Sequence, residues 1–201
     1  RADAAILQES SSFHAMCKKL LGENVAVLEQ TIQLLDPRQV SRAVDLLRRS
    51  RRVVCMGQGS SMVLSEEAWT LFSTVSPKFL FVPDSHLQMN TLALMDPDEL
   101  VLFFSYSGST RDFQDLLEVA RQRQVKVVLV SRFPKSPGGQ LADVVLQCGA
   151  DEGPLQAGSV NARMAQLFVL DVLFQEFCMR APEETEQSRE QIAEAVARKH
   201  L

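Results

Sequence analysis

Five short runs of apolar residues without polar alternation set the limits on this chain: Val53-Val54-Cys55-Met56, Phe79-Leu80-Phe81-Val82, Leu100-Val101-Leu102-Phe103-Phe104, Val127-Val128-Leu129-Val130 and Val144-Val145-Leu146. A strand with one face in water alternates apolar and polar residues, whereas a continuous run suits a strand covered on both faces. Between the runs lie helical patterns over 60–75, 85–95 and 111–124, the last with Phe113, Leu116, Leu117 and Ala120 in one stripe. Strand, helix, strand at this spacing predicts right-handed crossovers and an open parallel sheet with helices on both sides. The fold class is therefore α/β, a three-layer, doubly wound, five-stranded parallel sheet. The gap from 132 to 142 is shorter, and Ser136-Pro137-Gly138-Gly139 predicts a turn followed by at most one helical turn.

The flanks read as helices. Val25, Leu28, Ile32 and Leu35 follow one another at three- and four-residue steps, Val40, Ala43, Val44 and Leu47 repeat the rule, and Asp36-Pro37 separates the two segments. Pro suits the first position of a helix, where its missing N–H would be unpaired anyway, so a helix starting near Pro37 is expected. Residues 38–52 hold six arginines against one aspartate. They form either a solvated helix face or a surface for a neighbouring domain or acidic partner. Residues 162–179 form a helix with Leu167, Phe168, Leu170, Val172, Leu173, Phe174 and Phe177 around most of its circumference. Such a helix needs cover on nearly every side, from the sheet and from a subunit contact. The acidic segment from Pro182 reads as a surface helix or a fraying end. The division is 1–36, an N-terminal helical extension serving as linker; 37–181, the sheet domain; and 182–201, a helical tail.

Composition excludes several function classes. In 201 residues, 46% are apolar and 23% charged, which suits one domain with a sizeable core and argues against disorder. A net charge of −4 argues against direct reading of DNA, because duplex binding rests on neutralising phosphates with Lys and Arg. No apolar run approaches a membrane span and the start carries no signal pattern, so a cytoplasmic protein with no membrane partner is expected. Cys17, Cys55, Cys148 and Cys178 form no CxxC or Cys/His cluster, and His14, His86 and His200 are as scattered. Neither a metal site nor a disulfide framework is indicated, and no cofactor is called for. The chain begins at Arg1 rather than Met, which points to a piece of something longer.

In an open parallel sheet the ligand crevice lies at the carboxyl ends of the strands, so the loops there are the places to search. Two stand out. After the first strand comes Gly57-Gln58-Gly59-Ser60-Ser61, and after the third comes Ser105-Tyr106-Ser107-Gly108-Ser109-Thr110, each running into a helix. Glycines let the backbone approach an anion, helix N-termini offer free N–H groups and a partial positive charge, and hydroxyls add neutral donors. Either loop alone could be a tight turn or a run of helix caps. Their joint occurrence at strand ends of one sheet points to a phosphate cradle without a lysine. No G-x-x-x-x-G-K-[ST] is present, which excludes a P-loop. Met62 stands where a dinucleotide fingerprint needs its third Gly or Ala, and Val82-Pro83-Asp84 offers no acidic residue at the end of the second strand.

Over about residues 40–180 the sequence resembles the SIS (sugar isomerase) domains. The resemblance rests on Gly57-x-Gly59-x-Ser61, on the more specific Ser105-x-Ser107-Gly108-x-Thr110, and on the order of elements around them. Within that family it is most similar to the C-terminal effector domains of RpiR-type bacterial transcription regulators. The features behind that are Asp84-Ser85-His86, Ser136-Pro137 before Leu141-Ala142-Asp143, Glu152, Ala162-Arg163-Met164-Ala165-Gln166-Leu167, and a lead-in ending at Leu34-Leu35-Asp36. The resemblance implies that Ser61, Ser105, Ser107 and Thr110 hold a phosphate together with backbone N–H groups of the turn that includes Gly108 and Ser109. It further implies that Gly59, Ser60, His86, Glu152 and Arg163 face the sugar. Glu152 could equally be a solvated loop acid, His86 a surface or helix-capping residue, and Arg163 a partner of Glu152 alone. Met62 departs from the pattern and is expected to narrow the site.

A sugar isomerase needs a base within reach of the carbon-bound proton. Glu152, His86, Glu66 and Glu67 are the candidates, and none sits in a constellation that marks a catalyst, so no residue is assigned a catalytic role. The favoured reading is a phosphosugar-sensing module. It would act as a homo-oligomer, dimer or tetramer, and reach DNA only through an N-terminal helix-turn-helix domain outside this chain. An aldose-ketose phosphosugar isomerase is the alternative, and a dimerisation domain with a vestigial site is a third reading.

Overall fold

A computed structural model describes residues 2–150 and 159–197. The elements are helices α1 (Ala2–Leu34) and α2 (Pro37–Arg49), strand β1 (Val53–Gly57), a short 3-10 turn (Gly59–Ser61), α3 (Met62–Ser73), β2 (Phe79–Phe81), α4 (Ser85–Ala93), β3 (Leu100–Phe104), α5 (Arg111–Gln122), β4 (Lys126–Ser131), α6 (Pro137–Leu141), β5 (Val144–Gln147), α7 (Val160–Met179) and α8 (Pro182–Ala197). All five apolar runs are strands, and the 132–142 gap holds one helical turn, as its length predicts. The sheet is parallel throughout, in the order β2-β1-β3-β4-β5, with Cys55 opposite both Phe81 and Leu102, and Leu102 opposite Val128.

Every residue of β1 and β3 is buried, and the pleat divides them between two cores. Val53, Cys55, Leu100, Leu102 and Phe104 join α2, α3 and α7 on one face, while Val54, Met56, Val101 and Phe103 join α4 and α5 on the other. The first core centres on Phe72, whose ring stacks on Phe79 at 4.2 Å and meets Phe174 and Phe177 edge-on at 5.3 Å each. Offset and edge-on pairs each add about 0.5–1.5 kcal/mol beyond the area that they bury. Asp36 caps α2 by accepting the Arg38 N–H at 2.8 Å, Pro37 opens the helix, and Val40, Ala43, Val44 and Leu47 form its buried stripe. α7 has its cover from within the chain, since α1, α2 and α3 all pack against it. Cys55, Cys148 and Cys178 are buried and Cys17 is exposed.

Arg48, Arg51 and Arg52 of the arginine run pair with acids distant in sequence. At the amino end of the sheet Arg52 reaches Glu99 through both nitrogens, Nε to Oε1 at 2.5 Å and Nη2 to Oε2 at 2.9 Å. Arg51 meets Asp96 and Asp98 at 3.1 Å each. Glu99 is 1% exposed and also accepts the Asp96 N–H at 2.9 Å. Arg48 pairs with Glu184 of α8, and Lys78 donates to the carbonyls of Arg48 and Ser50 just past the end of α2.

Candidate functional site

The order 2-1-3-4-5 puts the switch point between β1 and β3: the chain leaves β1 toward β2 on one side and leaves β3 toward β4 on the other. The loops after these two strands therefore diverge and leave a crevice. A cavity of about 310 Å³ lies there, lined by Gln58, Gly59, Ser60, Ser61, Phe103, Phe104, Ser105, Tyr106, Ser107, Thr110, Ala162, Arg163 and Gln166.

The glycines shape both loops. A Cβ on Gly57 would meet the Ser61 carbonyl, so the 3-10 turn can fold back over the end of β1 only because position 57 has no side chain. Gly108 has φ +61°, and a Cβ there would run into the Ser136 hydroxyl. The space saved lets Gly108 accept the Gly138 N–H at 2.9 Å, which fastens the serine-rich turn to α6. Ser105, buried, accepts the Gly108 N–H at 3.1 Å, and this leaves its own O–H proton to offer.

Helix caps differ among the elements near the cavity. Asp84 caps α4, Ser136 caps α6 and Ser159 caps α7, each by accepting a backbone N–H from the first turn. Ser61 before α3 and Thr110 before α5 make no such bond, although both residue types are able to. The first N–H groups of α5 and both hydroxyls remain available beside the cavity, whereas the Met62 N–H that opens α3 is taken by the Gly59 carbonyl. The Arg163 guanidinium adds a cation and has no hydrogen-bond or ion-pair partner among the described residues.

Of the residues expected at the site, Gly59, Ser60, Ser61, Ser105, Ser107, Thr110 and Arg163 share this cavity. Gly108 lies behind it as the hinge of the turn. Ser109 is exposed, with its hydroxyl donating to the Ser107 carbonyl at 3.0 Å. His86 is exposed in the first turn of α4 and does not line the cavity. Glu152 lies outside the described residues. Met62 does not line the cavity, so the narrowing expected from it is not found; the 3-10 turn sets the start of α3 back from the crevice.

Sequence reasoning missed Gln58, Tyr106 and Gln166. Tyr106 reaches away from the crevice and donates to the Ala150 carbonyl at 2.8 Å, an oxygen that also accepts from Arg132 Nε at 2.9 Å. Ala150, at φ +74°, donates its N–H to Gln30 Oε1 at 2.9 Å, and Gly149 donates to Thr31 Oγ1 at 3.0 Å. One chain of bonds thus joins the serine-rich turn, the end of β5 and α1. None of these partners is near in sequence, and an aromatic ring between two serines gives no local sign of it. Among the described residues no group of three or more His, Cys, Asp or Glu side chains could hold a metal ion, and no helix is long and apolar enough to cross a membrane.

The family model for the SIS domain matches residues 46–175. The chain is 27% identical over 161 residues to the uncharacterized HTH-type transcriptional regulator YbbH of Bacillus subtilis, with 80% of this chain and 57% of that protein covered. It is 27% identical over 136 residues to the HTH-type transcriptional regulator RpiR of Escherichia coli, covering 68% of this chain and 46% of the relative. This chain thus spans about half the length of these curated relatives. Its fold superposes on that of the Vibrio vulnificus NanR protein complexed with ManNAc-6P with a TM-score of 0.85 at 24% identity, covering 94% of this chain and 72% of that one.

Proposed function

The chain belongs to the SIS domain family, and from that premise we propose that it is the phosphosugar-sensing effector domain of an RpiR-type transcriptional regulator. In this reading residues 1–36 are the linker, 37–181 the sensor and 182–201 a tail. A helix-turn-helix domain on the amino side of α1 binds DNA in the cytoplasm under the sensor's control. The observation that carries it is the set of serine and threonine hydroxyls around one cavity, together with the uncapped start of α5. Ser61, Ser107 and Thr110 present hydroxyls, and the uncapped start of α5 presents N–H groups, to a space that suits a dianion. Arg163 supplies one positive charge. Among the described residues lining the cavity there is no carboxylate and no imidazole, which favours binding over proton abstraction. The RpiR and YbbH relatives are regulators by name, and the NanR neighbour carries a sugar phosphate.

Sensing needs a differential contact in two states. The phosphate would close the serine-rich turn, and Tyr106 would transmit that movement through Ala150 to Gln30 and Thr31 on α1. The sensor would act as a homo-oligomer, for which Phe13, Met16 and Leu20, exposed along α1 at three- and four-residue steps, offer a face.

A thermal-shift panel of sugar phosphates tests the reading. At about one hundred times its dissociation constant a ligand adds roughly 2.7 kcal/mol, which raises Tm by about 5–10 °C for a chain of this size. We expect at least one sugar phosphate to do so and Ser107→Ala to lose most of the shift. A panel without any shift, or a shift that Ser107→Ala leaves intact, overturns the phosphate assignment.

A further inference from the structure

Two amide side chains in the cavity wall hold buried polar atoms with no hydrogen-bond partner among the described residues. Gln166 is 1% exposed on the otherwise apolar inner face of α7; its Nε2 donates to the Ala162 carbonyl at 3.3 Å, and its Oε1 is buried without a partner. The Ala162 contact fixes the amide: the nitrogen must face that carbonyl, so the oxygen faces the other way. Gln58, in the loop after β1, has the complementary vacancy, a buried Nε2 with no acceptor. A buried polar atom left unmet costs about 1–3 kcal/mol, which is why such atoms are few in folded proteins. Here an acceptor and a donor are both left unmet in one cavity whose remaining wall carries the hydroxyls.

We infer that Gln58 and Gln166 are the specificity-determining residues that read the sugar portion of the ligand, an inference that rests on the phosphosugar reading above. Gln166 Oε1 accepts from a group that donates, and Gln58 Nε2 donates to a group that accepts. A sugar hydroxyl does both, and the N–H and carbonyl of an acylamino substituent divide the roles. A second phosphate or a carboxylate cannot donate to Gln166 Oε1, because it would set acceptor against acceptor there. The ligand class is therefore a monophosphate whose body presents a donating hydroxyl or amide N–H to Gln166, and a ligand that sets a second phosphate there is rejected. The hydroxyls, the start of α5 and Arg163 read the phosphate; the two amides read what is attached to it.

The test compares binding of inorganic phosphate with binding of the tightest ligand from a panel of hexose, N-acetylhexosamine and pentose monophosphates, by calorimetric titration of the whole chain. Gln166→Leu is expected to weaken the sugar monophosphate at least tenfold, leave inorganic phosphate within twofold, and leave the ligand-free Tm unchanged or higher, since the unmet oxygen is gone. Gln166→Met keeps the length of the side chain and serves if the leucine variant fails to fold. Gln58→Leu should act in the same direction, and the hexose bisphosphate should bind the native chain at least tenfold more weakly than the monophosphate. Equal loss of both probes, or no loss of the sugar monophosphate, overturns the inference while leaving the phosphosugar reading standing. Failure of the native chain to bind any member of the panel overturns both.

Discussion

The two ends of the sheet handle polar groups in opposite ways. At the amino end, charge is dense and matched: Arg51 and Arg52 lie against Asp96, Asp98 and Glu99, and Lys78 satisfies carbonyls at the end of α2. At the carboxyl end, between β1 and β3, polar groups are numerous and, among the described residues, left open: the uncapped start of α5, the Arg163 guanidinium, and one buried amide atom each on Gln58 and Gln166. The same strands carry both ends. A sheet buried on both faces is rigid enough to hold unmatched groups at one end because it is locked by matched ones at the other, and stability and function become separable along the strand direction.

That separation can be broken by substitution. The largest effect is expected at the amino end. Glu99→Ala strands Arg52, two-thirds buried, and leaves the Asp96 N–H without its acceptor. Losing one partner of a buried pair costs about 3 kcal/mol, or roughly 6–12 °C in Tm for a chain this long. Chemical denaturation should show that loss with ligand affinity unchanged in the folded fraction; an effect on affinity instead would mean that the ends are coupled.

A smaller and opposite result is expected of Thr110→Val. Removing a threonine cap ordinarily costs about 1 kcal/mol, but this hydroxyl caps nothing, so the ligand-free cost should be below about 0.5 kcal/mol. Sugar phosphate affinity should nonetheless fall about tenfold or more, the worth of a hydrogen bond to a charged group. A full capping penalty would show that the helix start is not open in solution.

The smallest effect concerns Lys78. Burial, helped by the neighbouring Arg48 and opposed by Glu184, lowers its ammonium from the ordinary value of 10.5. The unfolded chain then holds that proton more tightly, so stability rises with pH between the lowered folded value and 10.5, and the penalty is present in full below that window. The stability of the native chain relative to Lys78→Met should therefore increase on going from neutral pH to about pH 10.5, by a fraction of a kcal/mol given that the group is only partly buried. A difference that is flat with pH would show that Lys78 carries no burial penalty in the folded chain.

What the sequence reveals differs between these regions for a physical reason. The strands are legible because burial on both faces imposes composition directly: five unbroken apolar runs became five strands. The two loops are legible because the backbone needs glycine at particular points, as at Gly108 with φ +61°, and because hydroxyl residues cluster beside those points. The arginine run is not, because pairing decides its role and Arg52 finds Glu99 only 47 positions later through strand register. Gln166 is hidden for a related reason. A glutamine among Met164, Ala165, Leu167 and Phe168 looks like the polar residue of a helix surface, and only the packing of α7 on the sheet and α1 puts it inside. Helix periodicity cannot separate an exposed amide from a buried one on a helix covered nearly all round.

α1 has a further consequence as a lever. Its last turns are clamped by Gln30 and Thr31 to the end of β5, while residues 12–23 are exposed throughout. At 1.5 Å per residue, residue 12 lies roughly 27 Å from Gln30, so a tilt of about 5° at the clamp sweeps it through roughly 2 Å. A displacement of a few tenths of an ångström at the Ala150 carbonyl is thereby multiplied several-fold by leverage alone, with no rearrangement of the core.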